Sequence, residues 1–490
     1  MAFPYEDIRT FLDDCEKNKE AVRVNKEVDW NLEAGAITRR QAEIGKGLTV
    51  EKGGQPALLF EKVKGFPKGF RLASNLSSNM YRMALMMGHP DPENARLDEL
   101  QEIFMDGYKN PIKPMLVSDG ACKENKLLGK DIDLYKLPAP MVHDGDGGRY
   151  IGTYHIVATK DPDTEWVNWG MYRVLIHNKN NMGVLIVPLQ NIGLIARKYA
   201  EKNEPMPVSV VIGADPLSLF MAATPAAVGF SEADVVGGLR KAPLKMVKCE
   251  TNDLLVPADS EIVIEGEILP NVTAFEGPFG EYTGYRASPR DKRPVIKVTA
   301  ITYRNDPILT MSCMGLPVDD SHILASIGTS AIIKDALKKV GIPVTAVNYI
   351  PESGSQLLVV STKTPFAHIA TWIKDAVYAL GGMCAYFRYI FVVNDDVDIF
   401  NVNEVFHAFF SRIHPDRSIH VSRNPSGPLV PAAPLEERKM GTAPVILYDG
   451  TWPTDWHPFI AVPPKSSFDN IFPKDMQEKV LKNWKEYGLK

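Results

Sequence analysis

Cysteine is scarce in this 490-residue chain: Cys15, Cys122, Cys249, Cys313 and Cys384 are scattered, with no CxxC and no close Cys/His grouping. Such spacing excludes a zinc ribbon and a disulfide framework and makes these buried small apolar residues. Glycine-rich nucleotide cradles are missing as well, since neither GxxxxGK(S/T) nor GxGxxG occurs. No apolar run is long enough to span a membrane; the nearest, Pro216 to Phe230, is short and carries Pro216 and Pro225 as breakers. Clustered Lys and Arg are absent, and a formal net charge of -5 removes the electrostatic case for nucleic acid or an anionic membrane. The opening MAFPYEDIRT is charged early and has no apolar h-region, so no signal peptide is read and a cytoplasmic location is expected.

The remaining composition, 45% hydrophobic and 23% charged, is that of a globular protein, with length for roughly two to four domains. Pattern changes divide it into a multidomain α+β or α/β chain. Residues 1–114 read as a small α/β region, with a helix over Tyr5 to Lys19 and a polar, Gly-containing segment near Lys46 to Gln55. From 115 to 310, β-branched-rich runs dominate: Arg173 to Ile176, Met182 to Leu189, Val208 to Ile212, Glu261 to Ile268 and Val295 to Tyr303. Their density, with few helices between, predicts a barrel-like or sandwiched sheet rather than a Rossmann alternation. Residues 311–450 form a C-terminal α/β domain, with helices over Ser330 to Val340 and Phe366 to Leu380 and strands over Gln356 to Ser361 and Tyr389 to Val393. Asn401 with Glu404 opens a further helix through Phe410. In the tail, 451–490, Met476, Val480 and Trp484 put an apolar stripe on a helix over Asp475 to Tyr487, which predicts docking on its own chain or on a partner.

Three segments carry chemistry. In Phe275 to Gly284, Glu276 and Glu281 flank Gly-Pro-Phe-Gly, a sequence no regular helix accommodates. A loop that keeps both acids close disfavours their joint ionisation and prepares one for proton transfer; an acidic surface turn stiffened by glycine is the plainer alternative. Trp166 to Arg173 sets an amide and an arginine around a glycine at the entrance to a strand. Through its planar fork Arg173 could pin a substrate carboxylate or pair with a glutamate, or it is an edge-strand arginine in a surface ion pair. Ser231-Glu232 follows the apolar run, with helix N-capping by Ser231 as its ordinary explanation.

Together these segments resemble the UbiD-type decarboxylase family, reversible decarboxylases of aromatic and α,β-unsaturated acids that use prenylated FMN. The matching residues are Asn168-Trp169-Gly170-Met171-Tyr172-Arg173, Ser231-Glu232, Glu265-Gly266-Glu267 and, above all, Glu276 to Gly284. Asp144 to Gly148 and Asn394 to Asn401 look like further landmarks. Their consistent order is more specific than any single motif and overrides the plainer readings.

The resemblance implies a split-barrel-like flavin-binding core and a carboxy-lyase acting on an aromatic, phenolic acid, or its reverse with CO2. Decarboxylation leaves an electron pair on carbon that no side chain accepts well, so a cofactor must take it. Carried over, Arg173, Glu276 and Glu281 form the catalytic network, with Glu281 as proton donor and Glu276 and Arg173 orienting it. Cofactor contacts would come from Asn168, Trp169, Gly170, Met171, Tyr172, Arg173, Gln190, Asn191, Glu232 and Arg388. The family grips the cofactor phosphate through a divalent metal, usually manganese, with potassium close by. Asn168 and Glu232 would be metal ligands, and the family's histidine ligand falls here on Gln190 or Asn191, with His177 a remote substitute. An amide oxygen can replace imidazole for manganese or magnesium but weakens the preference for softer metals. Potassium would sit on backbone oxygens near Trp166 and Ala222 to Ala223. His322 either contacts a ring substituent of the substrate or caps the following helix, and Asp395, Asp396 and Asp398 read as a structural turn. Implied partners are the aromatic acid, CO2, a flavin prenyltransferase that supplies the cofactor, and further copies of the chain in a dimer or hexamer. The alternatives are a subunit of a multi-subunit carboxylase, catalytic or not, and a redox flavoprotein. Retention of Arg173, Glu276 and Glu281 argues against a non-catalytic subunit, and the missing nicotinamide site against the redox enzyme.

Overall fold

The computed structural model describes residues 3–44, 53–381, 386–425, 429, 431–456 and 462–489, so Cys384 and most of the 46–55 segment lie outside the described residues. The first helix, Ile8–Lys17, begins where Asp7 accepts the Thr10 N–H at 2.8 Å, and its apolar positions Ile8, Phe11, Leu12 and Cys15 are all buried. They pack with a four-stranded sheet ordered Ala21–Val24, Ala57–Phe60, Arg71–Ser74, Ile308–Met311. The last strand comes from far along the chain, and one apolar cluster joins this unit to the core through Phe104, Val235 and Ile323.

The core is an antiparallel nine-stranded sheet curled into a half-barrel, the barrel-like architecture expected. Its order is Tyr150–Gly152, Val174–Asn178, Asn181–Val184, Asp291–Tyr303, Ile262–Glu276, Met206–Ile212, His155–Lys160, Val167–Gly170, with Asn125–Leu128 paired to Asp291–Tyr303. Val208, Val210, Val211 and Ile212 are buried on both faces of their strand, which accounts for the unbroken β-branched run. Two strands differ from the sequence reading. The run from Met182 leaves the sheet after Val184, and Leu185, Val187 and Leu189 face a cavity instead. The run expected to end at Ile268 continues to Glu276: after an irregularity where Asn271 adopts φ 60°, pairing resumes with Thr273 opposite Pro294. Pro270 and Asn271 disguise that extension in the sequence, yet it carries Glu276 to the site.

Helix Asp320–Lys339 begins about three turns before the expected Ser330. Its upper half, with Ile323, Leu324 and Ile327, joins the core cluster, and Ile333 and Leu337 join the C-terminal one. The first half is buried on nearly every side, and its buried positions mix His322, Ser326, Thr329 and Ser330 with Ile and Leu, so it shows no 3.6-residue apolar stripe and is illegible in the sequence. The C-terminal sheet runs Val344–Tyr349, Leu357–Thr362, Tyr389–Asn394, Thr442–Gly450, Ile419–Pro425. Alternate residues face opposite ways: Leu358, Val360, Ile390 and Val392 pack with helix Ile369–Tyr378, while Val359, Phe391 and Val393 pack with helix Val402–Arg412. Asn401 caps the latter through the Asn403 N–H, but Glu404 turns to the Asp398 N–H and Lys465. Asp396 pairs with Arg412, and Asp398 accepts the Phe400 N–H, so these acids form a structural turn. In the terminal helix Lys474–Lys482 only Gln477 is fully buried; of the apolar stripe Val480 is half-buried, while Met476 and, beyond the helix, Trp484 are exposed. Among the described residues no helix is long and apolar enough to cross a membrane, and the four described cysteines are free and buried.

Candidate active site

A cavity of 710 Å³ opens between the half-barrel, helix Asp320–Lys339 and the C-terminal domain, within the size range of small-molecule and cofactor sites. The core supplies Asn168 to Arg173, Leu185, Gln190, Asn191, Glu232 and Glu281 to its wall, the helix Leu324 and Ile332, and the C-terminal domain Tyr349 and Tyr386. Residues scattered over the sequence thus share one wall because three units meet there.

At one end Arg173 lies between two carboxylates. Its Nε and Nη2 donate to Glu276 Oε1 and Oε2, each at 2.8 Å, in a two-pronged bond, and its Nη1 donates to Glu281 Oε1. All three residues are buried. Glu276 is also held by the Tyr150 hydroxyl at 2.7 Å, and it stands behind the wall, whereas Arg173 and Glu281 reach the cavity. Two buried carboxylates on one guanidinium form a site in which one acid is fixed and the other faces a ligand.

At the other end Ser231 caps helix Glu232–Arg240, accepting the Asp234 N–H, and Glu232 at the first turn points into the protein. Its Oε1 accepts Asn168 Nδ2 at 3.0 Å and its Oε2 the Trp169 N–H at 3.1 Å. Burial without a cationic partner pushes its carboxyl up to about 8, against those weaker hydrogen bonds. Such a carboxylate is short of one positive charge. Asn168 Oδ1, held by the Tyr172 hydroxyl at 3.1 Å, lies beside it, and Tyr172 packs so close to Gly170 that a Cβ there would be 2.2 Å from the ring. Asn191 Nδ2 donates to the Ala226 carbonyl, which leaves Oδ1 for a ligand, while Gln190 accepts the Val187 N–H and donates to the Tyr386 hydroxyl. Among the described residues no three His, Cys, Asp or Glu side chains converge, so one carboxylate with amide oxygens is the donor set present. That set suits a hard divalent cation.

Other expected residues lie elsewhere. His177 sits over Gly183 on the Glu276 side and does not line the cavity. Arg388 is off the wall too: its Nη2 donates to the Pro444 carbonyl, and Nε and Nη1 have no partner among the described residues. His322 is fully buried, with Nδ1 facing Asp319 Oδ1 at 2.8 Å and Nε2 facing the Tyr282 carbonyl at 2.6 Å, so its ring closes the helix cap rather than the cavity wall. Ala222 and Ala223 line the cavity, but Trp166 does not, and its carbonyl already accepts the Asp161 N–H. Sequence reasoning missed Tyr150, Tyr386 and His155. Tyr150 was signalled only by its place just after Asp144 to Gly148, and nothing local marked Tyr386. His155 bonds the Tyr172 carbonyl at 2.9 Å, and burial pushes its ring down to about 4, so it stays neutral.

The half-barrel thus carries a buried Arg-Glu-Glu set at one end of a cavity and a carboxylate without a cationic partner at the other, and comparison with known proteins gives the class of enzyme. Family models of the 3-octaprenyl-4-hydroxybenzoate carboxy-lyase match in order: the N-terminal domain over 12–103, the Rift-related domain over 115–317 and the C-terminal domain over 322–444. The chain is 30% identical to the pyrrole-2-carboxylic acid decarboxylase of Pseudomonas aeruginosa, over 99% of this chain and 98% of the relative. It is 33% identical to a phenolic acid decarboxylase of Sedimentibacter hydroxybenzoicus, over 88% and 89% respectively. The closed form of vanillic acid decarboxylase from that organism superposes with a TM-score of 0.87 at 30% identity, covering 99% of both chains. The UbiD-class enzyme HmfF of Pelotomaculum thermopropionicum in complex with prFMN matches with a TM-score of 0.77 at 28% identity, covering 94% of this chain and 97% of that one. The chain belongs to the UbiD family and is a carboxy-lyase.

Proposed function

We propose that the chain decarboxylates an aromatic, phenolic-type carboxylic acid without oxidation, or runs the reverse with CO2, using prenylated FMN and with Glu281 as proton donor. The observation that carries this is the division of labour around Arg173: Glu276 is fixed behind the wall, while Glu281 and Arg173 face the cavity. Bound prenylated FMN supplies the electron sink for the pair left when CO2 departs. Asn168, Glu232 and Asn191 would hold a divalent metal, manganese in this reading, and so the cofactor phosphate. Helix Asn191–Lys202 and helix Glu232–Arg240 both start at the cavity wall, where helix N-termini favour an anion. Arg173 orients the substrate carboxylate through Nη1, the nitrogen that its two-pronged bond to Glu276 leaves toward the cavity. That carboxylate competes with Glu281 for the guanidinium, and two acids side by side favour a proton on one of them, so Glu281 delivers it to the carbon.

The Sedimentibacter enzyme is known in open and closed forms, with TM-scores to this chain of 0.80 and 0.87. By analogy the C-terminal domain closes over the site, and the Gln190–Tyr386 bond at 2.6 Å spans the cleft between core and that domain. Assembly into a dimer or hexamer belongs to the same reading, with exposed Phe406, Phe410 and Val421 as apolar surface to cover.

The test is reconstitution of the chain with prenylated FMN and measurement of CO2 release from a panel of hydroxybenzoates, beside Glu281→Gln. A loss of roughly 10²- to 10⁴-fold in turnover is expected for the variant. A chain that binds no flavin, or a variant as fast as the parent, refutes the reading.

A further inference from the structure

The segment Asp144 to Gly148 has no part in the chemistry above, yet it grips the loop that carries both glutamates. Asp146 is buried, and its Oδ1 accepts the N–H of Gly280, the residue before Glu281, at 3.0 Å. Its Oδ2 accepts the His143 N–H at 3.1 Å and faces His143 Nδ1 at 2.9 Å, while His143 Nε2 faces the Met314 carbonyl at 2.8 Å. Both of those acceptors lack a proton, so both ring nitrogens carry hydrogen and His143 is an imidazolium. Burial opposes that charge, but Asp146 and Cys313 together outweigh it and raise the ring to about 10. From the opposing segment Cys313 Sγ approaches Nε2 at 3.3 Å, with Arg39 bonded to the Cys313 carbonyl; Arg286 bonds the Asp144 carbonyl, and Phe279 meets the ring edge-on.

The contact is built for closeness. A Cβ on Gly280 would lie 2.6 Å from the His143 ring, and one on Gly147 would lie 2.3 Å from the Gly277 carbonyl oxygen. Once strand Ile262–Glu276 has ended, the backbone of 277–280 is held from outside by Asp146 on Gly280, by the Gly147 N–H on the Pro278 carbonyl at 2.8 Å, and by the Tyr150 hydroxyl on that same carbonyl at 3.4 Å.

We propose that Asp146, locked in place by His143, is a positioning residue for Glu281. It fixes the peptide from which Glu281 departs, and so the place from which the carboxyl meets Arg173 and the cavity; the inference rests on Glu281 being the proton donor. An imidazolium serves this purpose because it anchors Asp146 and the Met314 segment at once, tying two cavity walls together.

Asp146→Asn tests it, since the carboxamide keeps the size but sets an NH2 against either the Gly280 N–H or the His143 donors. Thermal melting, amide exchange at Gly280 and steady-state kinetics on an acid the parent turns over are measured together. Exchange at Gly280 is expected to quicken by at least tenfold and kcat to fall by at least about tenfold, with KM moved by less than about threefold. Unchanged exchange, or a smaller loss of kcat, overturns the proposal. If D146N does not fold, His143→Gln carries the same test at the same thresholds, because glutamine can reach Asp146 or the Met314 carbonyl but not both. Exchange needs no substrate, so a parent chain without decarboxylase activity overturns the function assigned to the site and is distinguishable from failure of the positioning role.

Discussion

Arg173 holds the one positive charge placed between Glu276 and Glu281, and its two-pronged bond to Glu276 through Nε and Nη2 leaves Nη1 for Glu281. Arginine suits this place because a lysine ammonium, a point charge, could not span two carboxylates in a fixed plane. His143 gives the residue-scale prediction. Burial opposes the charge on its ring, but Asp146 and Cys313 outweigh burial and raise the ring from the ordinary 6.5 to about 10 in the fold. A raised folded value means stability is complete below 6.5 and is lost as pH rises through 10. The melting temperature is expected to decline over that window, and His143→Gln to flatten the decline; parallel profiles for parent and variant would contradict it.

Helix Asp320–Lys339 shows what an element does for the site. Asp319 caps the helix by accepting the Ser321 N–H at 3.1 Å, with His322 Nδ1 at 2.8 Å and Arg39 bonded to the same carboxylate. Burial opposes ionisation of Asp319, but His322 and Arg39 prevail and hold it down at about 2, so a buried ion pair anchors the helix where it meets the cavity. His322→Ala is expected to cost about 3 kcal/mol through loss of that pair, seen as a melting temperature several degrees lower, with KM unchanged. A tenfold rise in KM with melting unaltered would return His322 to the substrate. The capping alternative was open in the sequence; what decided between the two was the position of the Tyr282 carbonyl, which takes up Nε2.

For the whole molecule, the cavity exists only where the core, the long helix and the C-terminal domain meet, and the Gln190–Tyr386 bond crosses that junction. Tyr386→Phe removes one hydrogen bond worth about 1 kcal/mol, enough to move a closing equilibrium roughly fivefold. KM is expected to rise by about that factor with kcat little changed, and small-angle scattering to show a larger unliganded particle. Identical scattering and KM would separate this bond from closure.

Much of the site was legible in the sequence because its chemistry sits in short segments: Asn168 to Arg173, Ser231-Glu232 and Glu276 to Glu281 each carry residue types whose order alone narrows the reaction. The strand-rich core was legible from period and β-branching, and the C-terminal alternation from turns and caps. Hidden from it were the continuation of a strand past Pro270 to Glu276, the buried first half of helix Asp320–Lys339, and the roles of Tyr150, His143, Asp146 and Tyr386. The physical reason is the same in each case. Sequence by itself determined which groups this protein has and the local bends that present them, since propensity and spacing act over a few residues. Only the tertiary structure decided which of two glutamates faces the cavity, whether a histidine caps a helix or touches a ligand, and what secures the Glu281 loop. Those outcomes depend on burial and on partners distant in sequence, 40 positions for Tyr282 on His322 and 134 for Asp146 on Gly280.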